Sequence, residues 1–274
     1  MCELQWLIPL SASQGLNILL LHKMKYRVGN LPGNVVPLMV KLYGMAGAAF
    51  GQCVLQIVRS TCRFEYHHAT VRKQPQERQP APQPHHQEHS GTLLSSHGPC
   101  LHCLWHENIP AYLAYFIVGQ QHHKHVWLQH PAAYMKPVHA FLEWNNVEYV
   151  LGSSGNGGKE ALQKLIHQLQ QQSQQQSQPQ HDQYSSAFFP DGPSGPVRKV
   201  KSGVIRVAQA TKLPIVPIRF EYSPWTWRSG WDQKHLPIPC YTTIHIYEHE
   251  PIWVTDDLDE TSTKAISQKL EQIL

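Results

Sequence analysis

The block from Phe188 to Ile218, FFPDGPSGPVRKVKSGVIRVAQATKLPIVPI, constrains this chain more than any other stretch. An apolar run stops at Pro190, and the next residues, Asp-Gly-Pro-Ser-Gly-Pro, can continue neither a helix nor a central strand. Proline fixes φ and lacks an N–H, and glycine permits φ > 0. A helix-like segment follows from about Ser202 to Lys212, then a strand-like one from Ile215 to Tyr222. Strand, stiff loop, helix and strand in that order make one unit of an α/β layer. The loop carries the carboxylate of Asp191 and the cations Arg198, Lys199 and Lys201 beside a helix start. Such a loop suits an anionic group, a phosphate above all.

The same alternation extends on both sides. Leu101–Trp105, Val126–Leu128, Val147–Leu151, Ala187–Phe189, Ile215–Tyr222 and Thr242–Tyr247 read as strands. Helices are expected over Ala111–Val118, from about Ala132 to Trp144, and from about Lys159, where Leu162, Leu165, Ile166 and Leu169 share one face. Ile266, Leu270, Ile273 and Leu274 give a last amphipathic helix. The fold class expected is α/β, with a largely parallel central sheet flanked by helices and an N-terminal apolar helical segment. Ligands in such sheets sit at the carboxyl ends of strands. His106 and Asp191 both fall just past a strand end, so they can converge.

Two biased tracts interrupt the pattern. Residues 73–98 are rich in Pro, Gln and His and read as a disordered linker. From Gln168 to Gln180, nine of thirteen residues are Gln, which reads as a helix extension passing into a loop insertion. The expected organisation is a helical, membrane-associated segment over 1–72, the linker over 73–98, and an α/β domain over 99–274 with a Gln-rich insertion at 168–184.

The segment Val35–Val58 is apolar apart from Lys41, Tyr43, Gln52 and Gln56. As a helix it would be about 36 Å long, enough for a hydrocarbon core of about 30 Å. A buried helix and a membrane-inserted or membrane-lying helix both fit. Glu3 precedes the first apolar residues, and Lys23, Lys25 and Arg27 follow them, the reverse of a signal peptide. The formal charge of +4 with 15% charged residues gives no argument for nucleic acid, though it suits an anionic membrane surface. Cys100 and Cys103 form a CxxC pair within CLHCLWH, but no second ligand set follows at metal spacing. Buried thiols in a reducing compartment are expected, and no metal site.

Three stretches could carry chemistry. Trp105-His106-Glu107-Asn108 places a histidine at a strand end, where an imidazole can serve as a general base. Glu107 is the adjacent acid, although neighbouring side chains on a strand face opposite ways. Gly152-Ser153-Ser154-Gly155-Asn156-Gly157-Gly158-Lys159 lies between a strand and a helix. It is one residue too long for GxxxxGK, and Glu160 stands where a magnesium-holding Ser/Thr would be. Its amides, Ser153, Ser154 and Lys159 can still meet an anion. The third stretch is the Asp191 loop. The chain has no GxSxG, HExxH or Rossmann GxGxxG, which removes support for a serine hydrolase, a zincin and a dinucleotide enzyme.

The order WHEN, GSSGNGGKEAL, FPDGPSGP, KSGVIRVAQATKLPIVPI and SGWDQKHLPIP resembles the DUF374 branch of the lysophospholipid acyltransferase superfamily. The resemblance runs from about Cys100 to the C-terminus. It implies transfer of a fatty acyl group from acyl-CoA or acyl carrier protein, as co-substrate and with no cofactor, to a lysophospholipid-like hydroxyl. His106 with Glu107 would be catalytic. Asp191, Gly192, Ser194, Arg198, Lys199, Ser153, Ser154 and Lys159 would bind substrate, with Arg198 and Lys199 on the acceptor phosphate. The partners implied are membrane lipid and the acyl donor, and the location is the cytoplasmic face of a membrane. A catalytically inactive lipid- or phosphate-binding member of the same fold is the alternative. The sequence departs from the wider superfamily at Ala111, where the histidine's aspartate partner would stand, and at Ser194 or Gly195, where the FPEGTRS arginine would fall. It departs from the branch's own motifs at Glu107, in the place of the WHG glycine, and at Leu151, in the place of the arginine before GSS.

Overall fold

The computed structural model describes residues 35–69, 98–117, 124–152, 158–173, 184–192, 195–229, 233–255 and 257–274. The linker tract, most of the Gln-rich tract and the Gly152–Lys159 loop over 153–157 lie outside them.

A long helix α1 (Val35–Thr61) leads into strand β1 (Arg63–Ala69). After the linker come β2 (Leu101–Cys103), a 3-10 turn (His106–Asn108), the short helix α2 (Ile109–Tyr112) and a π-helical turn (Leu113–Ile117). Then follow β3 (Lys124–Gln129), α3 (Lys136–Trp144), β4 (Val147–Leu151), α4 (Gly158–Ser173) and β5 (Tyr184–Phe188). The chain continues through α5 (Gly203–Thr211), β6 (Ile215–Ser223), a hairpin of β7 (Trp227–Ser229) and β8 (Lys234–Leu236), β9 (Thr243–His249) and α6 (Glu260–Ile273).

Among the described residues seven strands form one sheet in the order β1-β9-β6-β2-β5-β3-β4. Every pairing is parallel except β6 with β9. The expected largely parallel sheet flanked by helices is the one observed. β1 and β9 run against the other five strands, so the carboxyl ends of β2, β3, β4, β5 and β6 share one rim. β2 sits between β5 and β6, with Leu101 opposite Ser186 and Ile215. Buried on both faces, it reads as an apolar run without alternation.

Each face of the sheet has its own core. One joins Ala48, Leu55 and Val58 of α1 to Tyr112, Phe116, Phe141, Ile218, Phe220, Ile244 and Ile246. The other joins Leu101, Val126 and Ile215 to Leu165, Val204, Ile205 and Leu270 of α4, α5 and α6. Helix α5 ends at Lys212 with φ 62, a left-handed C-cap. Asp259 caps α6, its carboxylate accepting from Ser262 N at 2.7 Å.

α1 has two unlike faces. Its small-residue face lies along α3, where a Cβ on Gly47 would come 2.7 Å from Pro137 Cβ and one on Gly44 3.3 Å from Lys136 Cβ. Asn145 donates to Gln52 Oε1 at 2.9 Å at the end of that contact. The opposite face exposes Leu38, Leu42, Met45, Phe50 and Ile57, with Phe50 at 74%. The span Pro37–Thr61 is long and apolar enough to cross a membrane, yet only one such helix occurs among the described residues.

Two elements differ from the sequence expectation. β1 was expected to be helical, but its Phe64 and Tyr66 pack into the core while Glu65 faces the other way. That two-residue period is a strand period. The β7–β8 hairpin has strands of three residues each, too short to leave a pattern.

Candidate functional site

The site forms where β2 and β5 end side by side. Past β2, Trp105 is still extended (φ −68, ψ 146), and the chain then tightens into the 3-10 turn His106–Asn108. Pro110 sits in the first turn of α2, where a missing N–H costs nothing. Past β5, Gly192 N donates to Phe189 O at 2.9 Å, and Gly192 takes φ 66, closing the turn that presents Asp191. A Cβ on Gly192 would also come within 3.2 Å of Lys201 Nζ.

Asp191 is 1% exposed, and its carboxylate joins the two loops. Oδ1 accepts from the backbone N–H of His106 at 3.1 Å, and Oδ2 from that of Arg198 at 3.3 Å. Lys201 Nζ donates to the Asp191 carbonyl at 2.7 Å. Hydrogen bonds to a carboxylate are stronger than neutral ones, so this acid fixes the height of both loops above the sheet.

Glu107 is buried, and Arg198 reaches it through Nη2 at 2.7 Å and Nε at 3.1 Å, both to Oε1. The Arg198 side chain keeps 61% exposure, so its cation is held from one side and open on the other. His106 is half-buried, with its ring edge-on to Phe189 at 5.9 Å. Phe189 in turn meets Tyr112 and Trp127 edge-on, an aromatic wall behind the histidine.

A second line of contacts supports the turn. Tyr222 of β6 donates its hydroxyl to Asn108 Oδ1 at 2.9 Å. Burial, with the Glu107 charge adding, holds the Tyr222 phenol well above its ordinary range, so it remains a donor. His235 of β8 stacks on Tyr222 at 4.6 Å and 8°, and its Nδ1 lies 2.6 Å from Thr226 Oγ1. Burial, helped by the Arg228 and Arg198 charges, lowers the His235 pKa to about 4. Asn108 and His235 lay within the WHEN and SGWDQKHLPIP stretches quoted from the sequence, and Tyr222 at a strand end, but none of the three was given a role there.

The structure therefore brings His106, Glu107, Asp191, Gly192 and Arg198 together. Lys199 turns elsewhere, with its Nζ 3.1 Å from Glu271 of α6. Glu271 also accepts from Val200 N at 3.0 Å, and these two bonds lower its carboxyl pKa. Lys159 is exposed in the first turn of α4, beyond the edge strand β4. Ser153, Ser154 and Ser194 lie outside the described residues. Ala111, where the resemblance would put the histidine's partner acid, is fully buried.

The Cys100, His102, Cys103 and His106 set does not form a metal group among the described residues. Cys100 and Cys103 are free and buried, and burial pushes the Cys100 thiol up to about 12 and the Cys103 thiol higher still. His102 Nδ1 lies 2.7 Å from the Tyr112 hydroxyl.

No protein-family model matches the chain. A 68-residue stretch is 37% identical to an uncharacterized protein of Rickettsia prowazekii (strain Madrid E), covering 25% of this chain and 31% of that one. The chain thus matches about a third of that relative's length. Among solved structures, the 1-acyl-sn-glycerophosphate acyltransferase PlsC from Thermotoga maritima is similar over 92% of this chain and 88% of its own, at a TM-score of 0.43 and 12% identity.

Proposed function

We propose that this chain moves a fatty acyl group from a thioester donor, acyl-CoA or acyl carrier protein, to a hydroxyl of a lysophospholipid-like acceptor. The observation that carries the reading is the Asp191 carboxylate. It ties the histidine turn after β2 to the cationic loop after β5, so a candidate base and a candidate phosphate ligand share one rim. Open ends of parallel strands are where α/β sheets take ligands.

In this reading His106 takes the proton of the acceptor hydroxyl. The oxygen forms a bond to the thioester carbonyl carbon, the C–S bond breaks, and the thiolate leaves with the proton that His106 held. No cofactor is needed. Arg198 meets the acceptor phosphate with its exposed side while Glu107 holds the other. That makes Glu107 a positioning residue, working through Arg198. Lys199, drawn to α6, contributes less. Gly192, Ser194, Ser153, Ser154 and Lys159 complete the substrate-binding set. With its glycine face occupied by α3, α1 lies on the cytoplasmic face of a membrane rather than crossing it, and its apolar outer face meets lipid.

The test is an acyl-transfer assay on the full chain with lysophospholipid and either thioester donor. His106→Ala is expected to lower the rate by about 10²–10⁴-fold, the usual contribution of a general base. No transfer with either donor, or transfer indifferent to the substitution, rejects the reading. The alternative is a lipid- or phosphate-binding protein without the chemistry. It is favoured by Ala111 in the acid's place and by the engagement of Glu107 with Arg198. It predicts liposome binding that depends on Arg198 and Lys199 and is unchanged by His106→Ala.

A further inference from the structure

On the sheet face opposite α1, at the edge formed by β1 and β9, three metal-capable side chains converge. Glu65 and His67 are two residues apart on β1 and so point the same way. His245 of β9 is the cross-strand partner of Glu65. One donor atom from each lies within 4.8 Å of the others. His245 Nδ1 is 3.1 Å from Glu65 Oε2 and 3.4 Å from His67 Nε2. We propose that Glu65, His67 and His245 bind one Zn²⁺ ion that clasps β1 to β9.

The spacing is the first argument. Zinc sits about 2.0–2.1 Å from imidazole nitrogen and about 2.0–2.2 Å from carboxylate oxygen, in a tetrahedron. Ligand atoms on such a tetrahedron stand about 3.3–3.4 Å apart, the separation that follows from those bond lengths. The two separations from His245 Nδ1 lie close to that value, and the Glu65–His67 pair is within 4.8 Å. Hydrogen bonding alone accounts for the group less well. The single Nδ1 of His245 faces both a carboxylate oxygen and a ring nitrogen, and one N–H cannot align with both. A metal ion accepts from all three at once.

The surroundings orient the donors as outer partners of a metal site do. Arg63 Nε holds the other carboxylate oxygen of Glu65, Oε1, at 3.0 Å, leaving Oε2 for the cluster. Tyr247 stacks on the His67 ring at 4.7 Å and 17°. The side chains of Glu65 and His245 are 33% and 23% exposed, so the fourth position opens to water. Two imidazoles and a carboxylate suit a borderline cation such as Zn²⁺ better than Ca²⁺ or Mg²⁺, which prefer all-oxygen sites. The His67–His245 contact spans 178 positions of sequence, so no spacing motif could reveal it.

The test is Zn²⁺ titration of the full chain by calorimetry, compared with the His67→Gln/His245→Gln double variant and with Glu65→Gln. The chain has 19 histidines, so weak additional binding is expected in every sample and the tight equivalent decides. Wild type should take one tight equivalent, held at least about tenfold more weakly in either variant, since losing even an outer-shell partner of a metal ligand costs about 10–100-fold. Zn²⁺ should raise the melting temperature of wild type by about 2–5 °C and leave the variants unmoved. Equal tight binding in all three proteins, no tight equivalent in wild type, or a melting temperature indifferent to Zn²⁺ overturns the proposal. Should the double variant fail to fold, Glu65→Gln, which keeps the side chain's shape, decides alone.

Discussion

At the ends of β2 and β5, Asp191, Glu107 and Asn108 are buried, and each accepts from a donor the protein supplies. At the β1–β9 edge, Glu65, His67 and His245 are half-exposed, and their donor atoms crowd around one point. The first cluster is a scaffold: its carboxylates position backbone and a guanidinium, and in the proposed reading the chemistry falls to the less buried His106. Without an ion, the second holds only its own side chains and Arg63. Burial of a charge demands partners, so the carboxylates one would first name as catalytic are spoken for, while a solvent-washed edge can keep a ligand set ready. Depth and reactivity need not coincide in this sheet.

The contrast can be broken most forcefully at Arg198. Arg198→Met leaves the buried Glu107 carboxylate without its guanidinium and should cost about 2–3 kcal/mol, somewhat below the usual figure for a buried pair because Arg198 is itself exposed. Urea unfolding measures it. Adding Glu107→Gln should restore more than half of the loss, and a double variant no better than the single would mean that the pair is not coupled.

Next in size is the contact that holds α1. Gly47→Leu drives a side chain into Pro137, where even a Cβ would come 2.7 Å from Pro137 Cβ. Overpacking of this kind costs about 1–3 kcal/mol. Phe50→Ser, on the outer face, should leave urea stability within about 0.5 kcal/mol while weakening liposome binding. An equal loss of stability from the two would show that both faces are packed.

His235 sharpens the comparison by pH. Its folded pKa lies near 4, below the ordinary histidine value of 6.5. Between those values the unfolded chain takes up a proton that the folded one refuses, so stability falls as pH drops from about 6.5 to about 4. The His235 contribution is complete above that window. In His235→Gln the slope across pH 4–6.5 should flatten; an unchanged slope would mean that other groups set it.

The smallest effect belongs to the edge. Without metal, Glu65→Gln should change stability by less than about 1 kcal/mol, since its partners Arg63 and His245 form solvent-screened pairs. A larger metal-free loss would place this cluster with the buried scaffold.

Much of the sheet was legible because apolar runs and Pro/Gly punctuation coincide with it. Ile215–Ser223 and Val147–Leu151 fall within a residue of expectation. β1 was not, because RFEYHHA follows a long apolar helix and is half polar. Only pairing with β9 reveals which half is inside. The site was partly legible: His106 and Asp191 could be placed at strand ends from pattern alone. The Glu107–Arg198 bond could not, since it joins residues 91 positions apart. Strand alternation was also the wrong guide for Glu107, which sits in a 3-10 turn. The separation of Lys199 from Arg198 depends on Glu271, on the final helix.

Asp191 accepts from an amide 85 residues upstream and from another 7 residues downstream. Exchange of parts between related chains is constrained by that one side chain. A histidine turn brought in from elsewhere would arrive without its anchor, and a transplanted PDGP loop would have nothing to hold. The two loops form a single cassette despite the folded layers between them in sequence, and they must be inherited, mutated and engineered as a pair.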